Sequence, residues 1–387
     1  MPGTTANVLG THWRPDGKVP TVSRNTGARR GVRRGGSERL SPPKEPTRFG
    51  RIFAPDGSWL ARQPPEPVLD PDLPIIDTHH HLWHRPDNRY LLDEFLADVR
   101  TGHNVVATVF VECNAMYRAD GPEEMRPVGQ TEFVAGVAAM SASGAYGPVR
   151  VAAGIVGFAD LTLGDRVEPV LEAHVRAGGG RFRGVRHPGG WDASEVIGNS
   201  HAITAPHLFG RPDFRAGLRR LIALGLSFDA WLFHPQLADI IELARAFPDA
   251  NIIMGHVGGP LGYGPYEGRR DEVFGSWKAS MTELAKCPNV TLKLGGMLMR
   301  LAAFGYKTME APPSSAELAA FWGPYMGTCI ELFGPDRCMF ESNFPVEKMG
   351  TGYATLWNAF KRIAAGASAD DKLALFSGTA RRAYRLP

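Results

Sequence analysis

Eight apolar runs of strand length, separated by longer amphipathic segments, constrain the fold of this chain more than any other feature. They are Leu73–His79, Val105–Glu112, Val151–Phe158, Phe182–His187, Leu226–Phe233, Asn251–His256, Val290–Gly295 and Cys338–Asn343. Each is dense in Val, Ile, Leu and Phe rather than alternating with polar residues, as expected of parallel strands covered on both faces. Helical periodicity fits the intervals at Leu91–Arg100, Val167–Ala177, Phe214–Leu224, Leu237–Ala246, Trp277–Ala285 and Ala316–Phe333, with Ala354–Ala365 and Asp370–Arg382 closing the chain. Regular strand–helix alternation predicts an α/β chain folded as a (β/α)8 TIM barrel. An open doubly wound sheet is the competitor, but no Gly-x-Gly-x-x-Gly turn follows the first run to support it. The 387 residues, 43% of them apolar, suffice for one barrel of about 250 residues with additions.

The alternation begins only near residue 73, so the chain divides into a Pro/Gly-rich extension, 1–72, and a barrel, 73–387. Residues 1–51 carry 11 of the 43 basic and 3 of the 40 acidic side chains, which leaves a net charge of −5 on the remainder. The basic excess therefore belongs to the extension, and the barrel has no charge pattern that seeks nucleic acid. The extension is expected to be poorly ordered, with Phe49–Leu73 wrapping the barrel. Arg29, Arg30, Arg33 and Arg34 resemble a twin-arginine signal, yet no apolar region follows them, so export is not expected. No run reaches the ~20 apolar residues of a membrane helix, and Cys113, Cys287, Cys329 and Cys338 fall at no metal-like spacing. The expectation is a cytoplasmic protein, compatible with a homo-oligomer, that acts on a small and anionic molecule. Two long connections, Asn114–Gly147 and Met297–Ser315, leave C-terminal strand ends, where barrel sites are built, and are candidate lids.

The chemistry concentrates at those same ends. In Asp77-Thr78-His79-His80-His81-Leu82-Trp83, strand alternation turns His79 and His81 to one face and His80 to the other. Two imidazoles on one face can share a cation or grip one oxygen. His187, His234 and His256 each terminate a later strand, so four strands deliver histidine to one rim. Glu112 ends the second strand, and Glu341 precedes Asn343 by two residues on the eighth, hence on the same face. Lys293 interrupts the seventh strand and is expected to be a buried, paired structural lysine. Asp77 is expected to support the first strand. Trp83 and Trp231 are candidate pocket walls.

From Asp77 to Asn343 the pattern resembles the amidohydrolase superfamily, specifically its amidohydrolase-2 branch of lactonase-like hydrolases, over residues 73–387. The resemblance implies a divalent metal, zinc first among candidates, held by His79, His81, His234 and His256. It also implies that Arg186 and His187 form a basic pair acting on carboxylate or carbonyl oxygens. Where the family carries an eighth-strand aspartate, ligand and general base, this chain has Asn343, whose amide takes up no proton near neutral pH. Glu341 is the first candidate for the missing carboxylate and Glu112 the second, with Asn343 orienting water or substrate. The implied activity is opening of a lactone or other carboxylic ester, with or without metal assistance. Metal-dependent decarboxylation of an aromatic or unsaturated acid is the alternative, and a non-catalytic binding barrel the second.

Overall fold

A computed structural model describes residues 54–201, 203–298 and 309–387. The basic tail and most of the Met297–Ser315 connection lie outside the described residues. All eight expected strands are present: β1 (Ile75–His80), β4 (Val105–Val111), β5 (Arg150–Gly157), β6 (Phe182–Pro188), β7 (Ser227–Trp231), β8 (Ile252–Met254), β9 (Val290–Leu294) and β10 (Cys338–Phe340). They pair in parallel in the order β1-β4-β5-β6-β7-β8-β9-β10. β2 (Trp83–Arg85) and β3 (Asn88–Tyr90) form a small antiparallel hairpin after β1.

The ends of the eight-stranded sheet meet just beyond β10. His80 bridges Phe344, the Asn343 N–H donates to His79 O at 2.8 Å, and the His81 N–H donates to Phe344 O at 2.8 Å. His79, His80, His81 and Asn343, singled out in sequence, thus lie at the seam of the nearly closed barrel.

Two apolar layers hold the architecture. Ile76, Val109, Val111, Val156, Ile253 and Met339 fill the barrel interior together with Ala380, Tyr384 and Leu386 from the C-terminus. The larger outer layer packs the strands against α2 (Leu92–Val99), α3 (Val128–Ala142), α4 (Glu168–Ala177), α5 (Pro212–Ala223), α6 (Leu237–Ala246), α7 (Arg270–Ala285), α8 (Ser315–Phe333) and α9 (Tyr353–Ile363). At ~25 cal/mol per Å² of apolar area removed from water, this layer is the main stabilising term. α7 starts at Arg270 rather than Trp277, because a charged first turn with Asp271 and Glu272 masks its apolar periodicity. The final helix is divided by a π-type turn at Ala374–Gly378. Among the described residues no helix is long and apolar enough to cross a membrane.

The segment before β1, which carries the short helix α1 (Gly57–Leu60), is tied down by polar contacts. Trp59 Nε1 donates to Met309 O at 2.9 Å, and Glu66 Oε1 accepts from Ser315 N at 2.7 Å. Lys361 Nζ reaches the carbonyls of Leu69 and Asp70 at 2.8 and 2.9 Å.

Candidate active site

Asp77 locks the seam. Its Oδ1 accepts the Ser342 N–H at 2.9 Å and its Oδ2 the Tyr353 hydroxyl at 3.0 Å, while burial raises its pKa to about 6. This is the strand-supporting role expected of it. Beyond β10 the chain turns through Asn343 at φ 53°, and beyond β8 through His256 and Val257 at φ 50° and 56°. Such left-handed backbone in non-glycine residues costs ~1–3 kcal/mol each and persists where packing over-determines it, commonly at functional sites.

Glu341, fully buried, sits between two imidazoles. Its Oε2 lies 2.6 Å from His79 Nδ1, and its Oε1 lies 2.7 Å from His256 Nδ1 and 3.0 Å from the His256 backbone N–H. Burial alone would raise its pKa, but His256 and His79 outweigh that and hold the carboxyl well below the ordinary range. An ionised carboxylate only accepts, so both Nδ1 atoms carry the proton. The same logic fixes His81, whose Nδ1 lies 2.8 Å from Val111 O.

With Nδ1 protonated on His79 and His81, each neutral ring is left with a bare Nε2. Burial, the largest influence on both rings, pushes their pKa values well below 6.5 and keeps them neutral. The two bare nitrogens stand 3.2 Å apart, and Asn343 Oδ1 lies 3.2 Å from His81 Nε2. The Asn343 amide is oriented by its Nδ2, which donates to Glu347 Oε1 at 3.3 Å. Three lone pairs therefore converge, and His79 Nε2 also accepts from Arg186 Nη1 at 3.3 Å. Ligands ~2.1 Å from one cation lie ~3.0 Å apart at a right angle and ~3.4 Å apart at the tetrahedral angle, so 3.2 Å separations suit co-ligation. The residues fit a divalent ion. His79, His256 and Glu341 also form a ligand-rich group, but their 2.6 and 2.7 Å contacts are too short to flank a metal and are hydrogen bonds.

Arg186 approaches from β6. Its Nη1 is 3.3 Å from His79 Nε2, its Nε donates to Glu112 Oε1 at 2.8 Å, and its Nη2 donates to Glu112 O. His256 is stacked on His79 at 4.7 Å between ring centroids and meets the edge of Trp231 at 4.6 Å. Its Nε2 has no hydrogen-bond partner among the described residues. Two glycines after β9 make room. A Cβ on Gly295 would fall 2.5 Å from Glu341 Cγ, and one on Gly296 (φ 67°) 2.0 Å from His256 Nδ1. Sequence reasoning passed over this pair, although a double glycine at a strand end signals close backbone approach.

The structure brings together His79, His81, His256, Glu341, Asn343, Arg186 and Glu112, with Trp231 against them. Three expected residues lie apart. His187 follows Arg186, so strand alternation turns it outward, where it packs on Phe158 and Phe214 at 5.6 and 5.2 Å, its Nε2 3.4 Å from Asp160 Oδ1. His234, expected as a metal ligand, begins a 3-10 turn after β7 ends at Trp231, and this carries it away from the cluster. There its Nδ1 accepts the Leu261 N–H at 3.2 Å, and its ring meets Tyr266 edge-on at 5.1 Å. Trp83 is fully buried behind His81, 5.9 Å between ring centroids, with Arg85 4.2 Å over its face. Lys293 is paired as expected, to Asp229 at 3.0 Å, and the Tyr384 hydroxyl donates to the same carboxylate.

The sequence model described as amidohydrolase matches residues 76–386. The uncharacterized protein y4mH of Sinorhizobium fredii is 32% identical over 337 residues, 81% of this chain and 99% of that protein. An L-fucono-1,5-lactonase of Burkholderia multivorans is 26% identical over 330 residues, 81% of this chain and 96% of the lactonase. Among solved structures, an amidohydrolase from Burkholderia multivorans crystallised with bound zinc superposes with a TM-score of 0.60 at 25% identity, covering 81% of this chain and 99% of that one.

Proposed function

The chain belongs to the amidohydrolase family of hydrolytic enzymes, and from that membership we propose that it opens a lactone or other carboxylic ester by attack of water at the barrel rim. The observation that carries this reading is the convergence of His79 Nε2, His81 Nε2 and Asn343 Oδ1 beside the Arg186 guanidinium. Those three atoms would hold a divalent ion, zinc first. When bound, such an ion polarises a carbonyl and lowers the pKa of water toward ~7.

The chain's own groups supply the rest. His256, its Nδ1–H fixed on Glu341, presents Nε2 as the base that takes the attacking water's proton. That proton is then returned to the departing alkoxide oxygen as the acyl C–O bond breaks, leaving a carboxylic acid that ionises. Arg186 Nη1 donates to the carbonyl oxygen as negative charge develops there. Glu112 already offsets the charge of Arg186, so we read the arginine as a carbonyl donor rather than a counter-ion for a free carboxylate. Glu341 orients the two imidazoles and transfers no proton itself, because both its oxygens are engaged.

A pH-indicator screen of the purified protein against lactones and simple esters tests this reading, with release of acid expected from at least one lactone. Silence on every ester together with CO2 release from an aromatic acid would replace hydrolysis by decarboxylation. The eighth-strand amide gives a second test. Asn343→Asp is expected to strengthen retention of zinc against a chelator by roughly 10–100-fold, since an anionic oxygen replaces a neutral one. Burial pushes the Glu347 carboxyl up to about 8, so it can carry a proton and hydrogen-bond the introduced carboxylate. Unchanged retention would show that the oxygen at this position is not a ligand.

A further inference from the structure

We propose that Glu112 is a specificity residue that accepts a hydrogen bond from a substrate hydroxyl, so that preferred substrates are lactones bearing a hydroxyl on the first or second carbon from the scissile carbonyl. This rests on the hydrolytic reading of the site and names its substrate class.

Glu112 is 1% exposed, and its two oxygens are in different situations. Oε1 accepts from Arg186 Nε at 2.8 Å, whereas Oε2 is buried and has no hydrogen-bond partner among the described residues. Neighbouring donors are directed elsewhere. The Tyr117 hydroxyl donates to Asn114 Oδ1 at 3.1 Å, and His201 Nε2 lies 3.2 Å from that same oxygen. Cys113 Sγ turns to Leu82 O at 3.4 Å, and Arg85 Nη2 donates to Cys113 O at 3.0 Å. A carboxylate paired to arginine is an acceptor only, and buried acceptors are satisfied in native proteins. A ligand hydroxyl is the donor we assign to Oε2.

The position and charge of this oxygen say what kind of donor it takes. The Arg186 guanidinium joins the two points, with Nη1 beside His79 Nε2 and Nε on Glu112. One planar group thus separates the reacting carbonyl from the recognised donor, which places that donor close to the carbonyl on the substrate. A substrate ammonium there would face the arginine charge. A neutral hydroxyl fits a carboxylate whose charge Arg186 already offsets.

The test compares γ-butyrolactone with its 2-hydroxy and 3-hydroxy derivatives, using wild type and Glu112→Gln. Glutamine keeps a carbonyl oxygen for Arg186 Nε and replaces Oε2 by a donor. Wild type is expected to prefer a hydroxylated lactone by roughly 10²-fold or more in kcat/KM, and the variant to lose most of that preference. Calorimetric binding of 4-hydroxybutyrate against 2,4- and 3,4-dihydroxybutyrate to wild type gives a readout independent of turnover, with the dihydroxy acids expected to bind at least tenfold tighter. Equal treatment of hydroxylated and plain ligands by wild type, in turnover and in binding, overturns the role of Glu112 while leaving hydrolysis standing. An undiminished preference in a folded Glu112→Gln protein also overturns it. Absence of any lactone opening, with the binding preference intact, overturns hydrolysis and leaves Glu112 as a hydroxyl acceptor.

Discussion

Glu341→Gln is expected to lower kcat/KM by roughly 10³–10⁴-fold while the barrel remains folded. The carboxylate receives three donors, the Nδ1–H groups of His79 and His256 and the His256 backbone N–H. An amide offers one acceptor and one donor pair, so one imidazole loses its partner and must move its proton to Nε2. A protonated Nε2 on His79 removes a lone pair from the convergent set, and on His256 it removes the base. Exchange of carboxylate for amide behind a catalytic imidazole costs about 10⁴-fold in serine protease triads by the same tautomer effect. Kinetics on an accepted lactone, with circular dichroism to verify folding, provide the check. Activity within about tenfold of wild type would mean that Glu341 does not govern the tautomers.

The second large effect is expected from His256→Ala, with kcat/KM falling by at least ~10³-fold and secondary structure retained. General base catalysis alone supplies ~10²–10⁴-fold, and the substitution also strips one donor from the buried Glu341. Truncating a buried ring leaves a cavity, here beside Trp231 and His79, which costs some stability. A lower melting temperature with a native-like spectrum is therefore expected alongside the kinetic loss. A folded variant with near-full turnover would remove His256 from the reaction. A His81→Ala variant separates the roles, because it should lose bound metal as well as activity, whereas His256→Ala should keep its metal.

The barrel was legible because parallel strands covered on both faces must be apolar throughout, and eight such runs leave few topologies. The β2–β3 hairpin escaped notice because three-residue strands such as Trp83–Arg85 carry no periodicity to read. Within the site, alternation separated His79 and His81 from His80, which indeed turns away to Thr108 at 2.9 Å and stacks on Phe95. Alternation also paired Glu341 with Asn343. Applied to Arg186 and His187, the same rule would have split a pair that the family resemblance suggested acts together. His234 was misplaced for a different reason. Sequence shows that a histidine follows a strand, but not that the strand ends three residues earlier and passes into a 3-10 turn. What sequence could not supply at all was the connection between distant residues, such as Glu112 with Arg186, since each contact depends on strand order and stagger.

The metal-assisted form of the reaction depends on His79 Nε2, His81 Nε2 and Asn343 Oδ1 holding a divalent ion. Elemental mass spectrometry of the purified chain and of His81→Ala measures this directly. One equivalent of a divalent metal in the wild-type chain, lost from His81→Ala, is the expected result. A wild-type chain that opens lactones at full rate in the presence of a strong chelator, with no metal bound, would contradict it and return the chemistry to Arg186 and the imidazoles alone.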